Sequence, residues 1–335
     1  MSSENKDLKD SKDFDIAIVG GGTIGLSAAY YAAAAGYRTV LFEQYDFYND
    51  KGSSDGYSRM FRIMYSDANM ARLAESSYGL WHEIADASGE ELLDRNGLLF
   101  YGLPATTVEG DLEECAKVMT SLGVPYDRYE REALLKHYPV FRELPPQYFG
   151  LSQPSSATIE VQKSLHTFHK MAQKKGATLL SRCPAQIKPA RPGATSYEID
   201  TPHGTYTAKH MILAPGSWSN HVLASFNMKL KLKIWQMTVA YFSVDPKLAW
   251  PMWYEFGPEV NGQQQLFYGF PPLEQPDRIK VSADYSYDIY DDPRECSYRP
   301  DPRILDAISG FVKQRFKEID PTPRDPATCL YTMSA

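Results

Sequence analysis

Three glycines and one glutamate near the start of the chain have the types and the spacing that bind a dinucleotide. Gly20, Gly22 and Gly25 form the pattern G-x-G-x-x-G directly after an apolar run, residues 14–19. Such glycines permit a tight turn, the close approach of a pyrophosphate and the close packing of a helix on a strand. Glu43 follows Gly25 by 18 residues, about where a carboxylate binds the hydroxyl groups of a ribose.

The segment after these glycines supports the same interpretation. The sequence predicts a helix from Ile24 to Ala35, ended by Gly36, and a second apolar strand over residues 38–42. A phosphate at the start of this helix would meet free N–H groups and the positive end of the helix dipole. The pattern does not distinguish NAD from FAD, and a glycine-rich turn in an unrelated α/β protein is the alternative.

Four further residues have side chains that could bind or activate a small acidic substrate. Arg59 and Arg62 carry planar guanidinium groups, which suit a bidentate contact with a carboxylate; two solvated arginines are the alternative. Lys280 lies in a predicted strand of alternating polar and apolar residues. Its side chain either points inward as a buried cation, which costs free energy and so suggests a function, or points outward into solvent. Asp284 has the same parity as Lys280, so both side chains could face one cavity.

The remaining candidates have weaker patterns. Tyr268 is predicted to line the pocket and to donate a hydrogen bond. Glu109 either reaches the pocket from a loop or is a solvated carboxylate that opens a helix. Cys329 lies in a short predicted strand, where a cysteine is most often a small buried hydrophobe. His166 and His169 form HxxH on a predicted helix without a third metal ligand, so we interpret both as surface or packing residues.

The order of the predicted elements indicates which part of the chain positions these residues. The first strand, helix and strand are followed by a long polar connection, and residues 229–287 alternate as an antiparallel sheet does. We therefore predict an α/β protein in which a Rossmann-like FAD-binding domain is interrupted by a second, mostly antiparallel β-sheet substrate domain. The predicted divisions are a disordered tail over 1–13, the nucleotide-binding domain over 14–92, 156–218 and 325–335, and the substrate domain over 93–155 and 219–324.

The composition argues against several classes of function. The chain has 335 residues, of which 43% are hydrophobic and 23% charged, and a formal net charge of -7. A nucleic-acid surface would need clustered Lys and Arg, so we expect a small-molecule partner and no nucleic acid. The longest apolar stretch is too short to span a bilayer, and the polar N-terminus is no signal peptide. The four cysteines form no CxxC pair, which favours a reducing compartment and no metal site.

Several motifs of the chain resemble the flavin amine oxidases related to monomeric sarcosine oxidase and N-methyltryptophan oxidase. GSSDGYSRMFR, residues 52–62, is similar to the loop that covers the flavin in that family. FYGFP, residues 267–271, is followed by Lys280 as in the family. ATCLYT, residues 327–332, matches the strand on which these enzymes attach FAD to a cysteine. The resemblance runs from Phe14 to Thr332.

The resemblance implies a role for each candidate. Arg62 would bind a substrate carboxylate, and Lys280 would promote the reaction of reduced flavin with O2. Hydride would pass from the substrate to FAD, and O2 would be reduced to H2O2. The FAD itself would be joined covalently to Cys329. The other residues expected to bind FAD are Gly20, Gly22, Ile24, Gly25, Glu43, Ser58, Arg59, Ala185 and Gly216.

Within this family the chain resembles in particular the nikkomycin-pathway oxidase of piperideine-2-carboxylate. It shares FYND at residues 47–50, and Glu109 and Asp284 match acidic residues of that enzyme, whereas sarcosine oxidases have a histidine at the position of Asp284. The resemblance implies a secondary amino acid or a cyclic imino acid as substrate, with Tyr268 beside these carboxylates. It also implies a monomer in the cytoplasm, or in peroxisomes if a longer C-terminus carries a targeting signal.

Two alternatives remain at this point. An FAD-dependent or NAD-dependent dehydrogenase of an amino acid would share the glycine pattern and Glu43 but would not need Lys280 or Cys329. The family fold continues past the strand of Cys329, so we expect the sequence to be C-terminally incomplete. That expectation makes a non-catalytic form the second alternative.

Overall fold

The first described elements are β1 (Asp13–Val19), α1 (Thr23–Ala34) and β2 (Thr39–Phe42), which confirms the predicted strand–helix–strand unit. α1 packs closely on β1 because Gly25 has no side chain. A Cβ on Gly25 would lie 1.8 Å from the carbonyl oxygen of Gly20. Gly20 itself has a φ of +108°, which favours glycine.

The structure is a computed structural model and describes residues 12–104, 106–107, 110–188 and 193–334.

A six-stranded sheet is built around this unit. Its other strands are β9 (Thr178–Leu180), β10 (Gln186–Ile187), β11 (Tyr197–Thr201) and β12 (Gly204–Leu213). The strand order is β10-β11-β12-β1-β2-β9. The pairs β12–β1, β1–β2 and β2–β9 are parallel, whereas β11 and β12 form a hairpin, in which Thr201 pairs with Gly204. The carboxyl ends of the central parallel strands therefore meet at the glycine turn.

A nine-stranded and mostly antiparallel sheet forms the second layer, as predicted. Its strands are β5 (Leu98–Gly102), β6 (Asp127–Glu130), β7 (Phe149–Gln153), β13 (Leu232–Ser243), β14 (Met252–Val260), β15 (Gln263–Phe270), β16 (Arg278–Ala283), β17 (Ile289–Tyr290) and β18 (Arg324–Ser334). The order is β17-β13-β16-β15-β14-β5-β7-β6, and β18 pairs with β13. Only the β14–β5 pair is parallel among these described strands.

The position of β18 corrects one part of the predicted domain division. Residues 325–335 were expected in the nucleotide-binding domain. β18 instead pairs antiparallel with β13 from Leu232↔Ser334 to Tyr241↔Arg324, so it extends the nine-stranded sheet. The long alternating strand β13 offers a complete set of backbone partners to β18, whereas the six-stranded sheet ends at β9 and β10. The other predicted boundaries stay a prediction.

A small third sheet begins in the segment predicted to be a long polar connection, which contributes its strand β3 (Ser58–Phe61). It has the order β3-β8-β4, formed by β3 (Ser58–Phe61), β8 (Ala157–Glu160) and β4 (Leu93–Asp94). Ser58 pairs with Glu160, and Phe61 pairs with Ala157. These strands are short and carry charged residues, so no period-two pattern predicts them. The sheet fixes the backbone of Ser58 and Arg59.

α1 agrees to within one residue at each end with the helix predicted from Ile24 to Ala35. Three of the helices begin at an aspartate whose side chain accepts hydrogen bonds from the first turn: Asp67 before the second helix, Asp111 before the third and Asp301 before the last. The second and third helices end at a glycine in the left-handed conformation, Gly89 and Gly123. The helices after α1 are α2 (Ala68–Ser88), α3 (Leu112–Leu122), α4 (Arg131–His137), α5 (Val161–Lys174), α6 (Ser219–Leu223) and α7 (Pro302–Arg315).

The two faces of the nine-stranded sheet have different neighbours. On one face, Trp253 packs with Phe311 of α7 in a large apolar core. This core also encloses an ion pair, because Arg315 donates through Nε and Nη2 to both oxygens of Glu255. The opposite face carries Tyr254, which packs with apolar residues of α3. Since side chains alternate along each strand, the second face holds the residues of the candidate site.

Candidate active site

A cavity of about 730 Å³ lies at the carboxyl ends of β1 and β2, and we call it the nucleotide cavity. Parallel sheets commonly bind ligands at this edge. Its volume lies within the range of about 300 to 1,000 Å³ that is usual for small-molecule sites. Six of the residues predicted to bind a cofactor line this cavity: Gly20, Gly22, Ile24, Glu43, Ala185 and Gly216. Gly25 lies beneath it and permits the close packing described above.

The start of α1 faces the nucleotide cavity. Gly22 precedes the helix and contributes no capping side chain. The N–H of Thr23 donates to Oγ of Ser54 at 3.1 Å, so a residue of the later loop lies directly over the helix end. Ile24 is 69% exposed, which leaves an apolar surface in the cavity wall.

Glu43 is held at the end of β2 by two backbone groups. Its Oε2 accepts a hydrogen bond from the N–H of Gly21 at 2.7 Å, and Oε1 accepts one from the N–H of Tyr45 at 2.9 Å. Burial raises the pKa of this carboxyl, and the two N–H groups lower it. The carboxylate is therefore oriented at the glycine turn, where a ribose is expected.

A second cavity of about 400 Å³ lies against the site-facing side of the nine-stranded sheet, and we call it the substrate cavity. It brings together residues that are far apart in sequence. The predicted residues in its wall are Ser58, Arg59, Arg62, Tyr268, Lys280, Asp284 and Cys329. Glu109, the remaining predicted residue, lies outside the described residues.

Lys280 is a buried cation at the wall of the substrate cavity, with 6% of its surface exposed. It contacts Oγ of Ser58, and its Nζ lies 3.8 Å from Oε1 of Glu274. The ring of Phe270 lies beneath it, with its centroid 4.6 Å from Nζ. Burial lowers the pKa of Lys280 to about 8, although Glu274 raises it. The inward orientation, one of the two left open by the sequence, is thus the observed one.

The two arginines of the loop have different surroundings. Arg62 lies over the rings of Tyr65 and Phe100, at 4.5 and 5.0 Å from their centroids. Arg59 donates to backbone carbonyl oxygens within its own loop, at 2.7 Å in each case: those of Ser53, Asp55 and Ser58. Arg62 thus presents a cation at an aromatic wall of the cavity, and Arg59 stabilises the fold of the loop.

Asp284 and three tyrosines form a polar group on the sheet side of the cavity. The hydroxyl of Tyr254 donates to Oδ2 of Asp284 at 2.8 Å. The hydroxyls of Tyr268 and Tyr331 are 3.0 Å apart and hydrogen-bonded to each other. The rings of Tyr254 and Tyr268 are nearly parallel, with centroids 6.2 Å apart. Burial, with Cys329 and Asp284 nearby, raises the pKa of Tyr268, so it is a neutral hydrogen-bonding group.

Cys329 points into the substrate cavity from β18. Leu330 packs on the opposite side of the strand, and the residues of this strand that line the cavity are Ala327, Thr328, Cys329, Tyr331 and Met333. Burial raises the pKa of the Cys329 thiol, and the charges of Arg59 and Lys280 lower it. The side chain is therefore more than a core-filling hydrophobe, because two cations lie near its sulfur.

One loop joins the two cavities. Ser53 and Ser54 line the nucleotide cavity, and the chain from Asp55 to Arg59 lines the substrate cavity. An elongated cofactor bound at the glycine turn could extend along this loop toward Cys329. The absence of side chains at the turn, the oriented Glu43 and the exposed Ile24 fit FAD, the cofactor that the family resemblance implies.

Four residues of the substrate cavity and its surroundings are not among those predicted from the sequence. Tyr331 was predictable, since it lies two residues after Cys329 in a strand and so shares its face. Tyr241 and Tyr254 lie in strands with many aromatic residues, where no spacing distinguishes a cavity position from a core position. Glu274 lies in the loop between β15 and β16, and loops have no periodic pattern.

The described part of the chain has no cluster of three or more His, Cys, Asp or Glu side chains that could hold a metal ion. Within the same residues, none of the helices combines the length and the apolar character that crossing a membrane requires.

Comparisons with known proteins agree with this geometry. A protein of Dictyostelium discoideum that carries the name of a bifunctional amine oxidase is 29% identical over 94% of this chain, which spans only 31% of its length. The peroxisomal sarcosine oxidase of Homo sapiens is 25% identical over 95% of this chain and 81% of its own.

A solved structure gives the same result. NikD, described as an unusual amino acid oxidase essential for nikkomycin biosynthesis, matches with a TM-score of 0.88 and 28% identity. The match covers 96% of this chain and 82% of that one. These findings confirm the resemblance and the mixed α/β fold predicted from the sequence. Residues 15–334 match the model of the DAO family, FAD dependent oxidoreductase, and the chain therefore belongs to that family.

Proposed function

We propose that this protein is a flavin-dependent oxidase of a secondary amino acid or a cyclic imino acid, and that it produces H2O2. The single observation that supports this proposal best is the buried Lys280 in the same cavity wall as Arg62 and Cys329. A dehydrogenase would not need a buried cation there, because its reduced cofactor does not transfer electrons to O2. When bound, FAD would accept a hydride from the carbon next to the substrate nitrogen and transfer two electrons to O2.

The residues of the nucleotide cavity would bind the dinucleotide part of FAD. The pyrophosphate would lie at the start of α1, where Gly20 and Gly22 leave room for it. Glu43 would accept hydrogen bonds from ribose hydroxyls. Cys329 would form a thioether to the C8 methyl group of the flavin. This bond removes one hydrogen from the thiol and one from the methyl group, and O2 takes up both, with their electrons, to give H2O2.

Arg62 would bind the substrate carboxylate. Its guanidinium lies against the rings of Tyr65 and Phe100, which restrict its orientation. A bidentate contact with a carboxylate would fix the substrate at one end and exclude simple amines. This role is supported by the position of Arg62 in the wall of the substrate cavity.

Asp284 would recognise the nitrogen of the substrate. It accepts a hydrogen bond from Tyr254, which holds the carboxylate in one orientation. A fixed carboxylate can accept an N–H or stabilise a cationic ring nitrogen, as a cyclic imino acid would offer. Tyr268, hydrogen-bonded to Tyr331, would form the neutral wall beside it.

The experiment that tests the proposal combines two measurements on the purified protein. A visible spectrum reports whether flavin is bound. A peroxide assay with sarcosine, N-methyltryptophan, proline, pipecolate and piperideine-2-carboxylate then ranks the substrates. We expect bound flavin and the highest kcat/KM with a cyclic compound of this series. A colourless protein would contradict the proposal, and so would substrate oxidation without peroxide. The oligomeric state stays a prediction.

A further inference from the structure

Glu274 contacts Lys280 from a loop that no motif predicted. It lies between β15 and β16, and its side chain is only 13% exposed. Its Oε1 accepts a hydrogen bond from Oγ of Ser58 at 3.0 Å and lies 3.8 Å from Nζ of Lys280. Its Oε2 accepts a hydrogen bond from the hydroxyl of Tyr241. Both oxygens of the carboxylate therefore have defined partners.

Three separate elements hold this carboxylate. Ser58 belongs to β3, Tyr241 to β13 and Lys280 to β16, and Tyr241 is directly opposite Lys280 in the β13–β16 pair. A carboxylate without such partners would be costly to bury, and so would the lysine. The arrangement fixes the position of Nζ, because Ser58 and Glu274 contact the same ammonium group from one side.

The other groups around Lys280 do not replace Glu274. Arg59 is a like charge and opposes the protonated lysine, and the thiol of Cys329 has its own pKa raised by burial. Asp55 also favours the charged lysine, but less than Glu274 does. Burial, the largest effect, favours the neutral amine. Glu274 is thus the main group that keeps Lys280 protonated near neutral pH.

We propose that Glu274 is a positioning residue that keeps Lys280 protonated and directed into the substrate cavity. The inference deepens the proposed function, since it rests on Lys280 as the cation that serves the reaction with O2. A cation stabilises the negative charge that develops on oxygen only while it carries its proton and is correctly placed. Glu274 acts through Lys280 and needs no contact with the substrate.

The test measures the protonation of Lys280 directly. The full chain is labelled with trace acetic anhydride over a range of pH, and the fraction of Lys280 that reacts is read by mass spectrometry. Only the neutral amine reacts, so the midpoint of the labelling curve gives the pKa. We expect a midpoint near 8 in the wild type. In Glu274→Gln the midpoint should fall by roughly one to three pH units, because the opposite charge is lost.

Asp55→Asn is the matched control, since it removes a carboxylate of the substrate cavity wall that favours the charged lysine less than Glu274 does. Its midpoint should move by less than half of the Glu274→Gln shift. If Glu274→Gln fails to fold, Glu274→Asp keeps the charge but withdraws it by one methylene, and its midpoint should still fall measurably. An unchanged midpoint in the folded Glu274 variant would overturn the inference.

A second measurement connects the ion pair to the reaction. Flavin in the protein is reduced with dithionite, which avoids any dependence on the amine substrate, and its reoxidation by O2 is followed. At pH 7.5 Glu274→Gln should slow reoxidation about threefold or more, because a fall of one unit from a pKa of about 8 already lowers the protonated fraction of Lys280 about threefold. In the Lys280→Met background the same change should leave the rate unchanged to within about 1.5-fold. Equal effects in both backgrounds would overturn the inference. The two proposals can fail separately. A protein that binds no flavin would contradict the proposed function. The labelling experiment needs no flavin, so its result would still decide whether Glu274 keeps Lys280 protonated.

Discussion

Cys329 and Lys280 lie in the wall of one cavity because their strands, β18 and β16, both pair with the same strand, β13. Cys329 is opposite Met237, and Lys280 is opposite Tyr241. The lysine charge lowers the pKa of the thiol, against the effect of burial. A cofactor attached to the cysteine would therefore lie beside the cation.

The first prediction concerns this attachment. After acid precipitation of the flavin-loaded protein, flavin absorbance should remain in the pellet, and Cys329→Ser should release it to the supernatant. Cys296→Ser is the matched control, because Cys296 is buried in a separate apolar cluster behind β18. Recovery of all wild-type flavin in the supernatant would exclude the thioether.

The second prediction separates the two half-reactions. Lys280→Met should slow flavin reoxidation by on the order of 100-fold, the usual effect of removing one group that stabilises developing negative charge. Anaerobic reduction by substrate should change much less. Stopped-flow absorbance measures both rates. Normal reoxidation in the variant would remove Lys280 from the mechanism.

The third prediction gives the pH dependence of the same step. The pKa of Lys280 is about 8, below that of a solvated lysine, so the cation is present below this pH and is lost as the pH rises through it. The reoxidation rate of the wild type should therefore fall between about pH 7 and pH 9. Lys280→Met should lack this decrease. A wild-type rate that is constant over this range would contradict the assigned role.

The fourth prediction tests the carboxylate contact. Arg62→Ala should lower kcat/KM of the best substrate by more than tenfold, or about 1.4 kcal/mol. Arg62→Lys keeps the charge but loses the planar guanidinium, so its kcat/KM should lie between those of the wild type and Arg62→Ala. A substrate analogue without the carboxylate should be oxidised equally poorly by wild type and variant. An effect below tenfold in Arg62→Ala would require another site for the carboxylate.

The fifth prediction concerns stability and not catalysis. Arg315→Met leaves Glu255 as a buried charge without its ion-pair partner and should cost roughly 3 to 5 kcal/mol of the free energy of unfolding. Arg182→Met breaks the exposed pair with Asp46 and should cost far less, because solvent screens the attraction between these two side chains. Urea denaturation measures both. If the two variants lost similar amounts of the free energy of unfolding, burial of the pair between Arg315 and Glu255 would not explain its contribution to stability.

The sequence predicted the glycine turn well because local spacing determines it. Gly20, Gly22 and Gly25 carry a pattern that only a strand, a tight turn and a helix in that order explain, and the structure has that order. Lys280 and Asp284 were placed on one face by parity alone, and both line the substrate cavity.

The contacts of Glu274 and Tyr241 were not predictable by the same means. They depend on which strands become neighbours, and the β13–β16 and β13–β18 pairs join segments that are distant in sequence. For the same reason the sequence carries no signal that β18 extends the nine-stranded sheet. Strand neighbours in a large antiparallel sheet are determined by tertiary packing, and a single sequence gives no direct signal for them.

The loop from Ser53 to Arg59 has a consequence for how this protein tolerates changes in length. Ser54 contacts the start of α1, and Ser58, four residues later, contacts Lys280. Between them Gly56 has a φ of +83°, which restricts the path of the chain. A deletion or insertion of one residue between Ser54 and Ser58 would break at least one of these contacts, whatever the residue. In a library that scans single-residue insertions and deletions along the chain, this segment should be among the least tolerant.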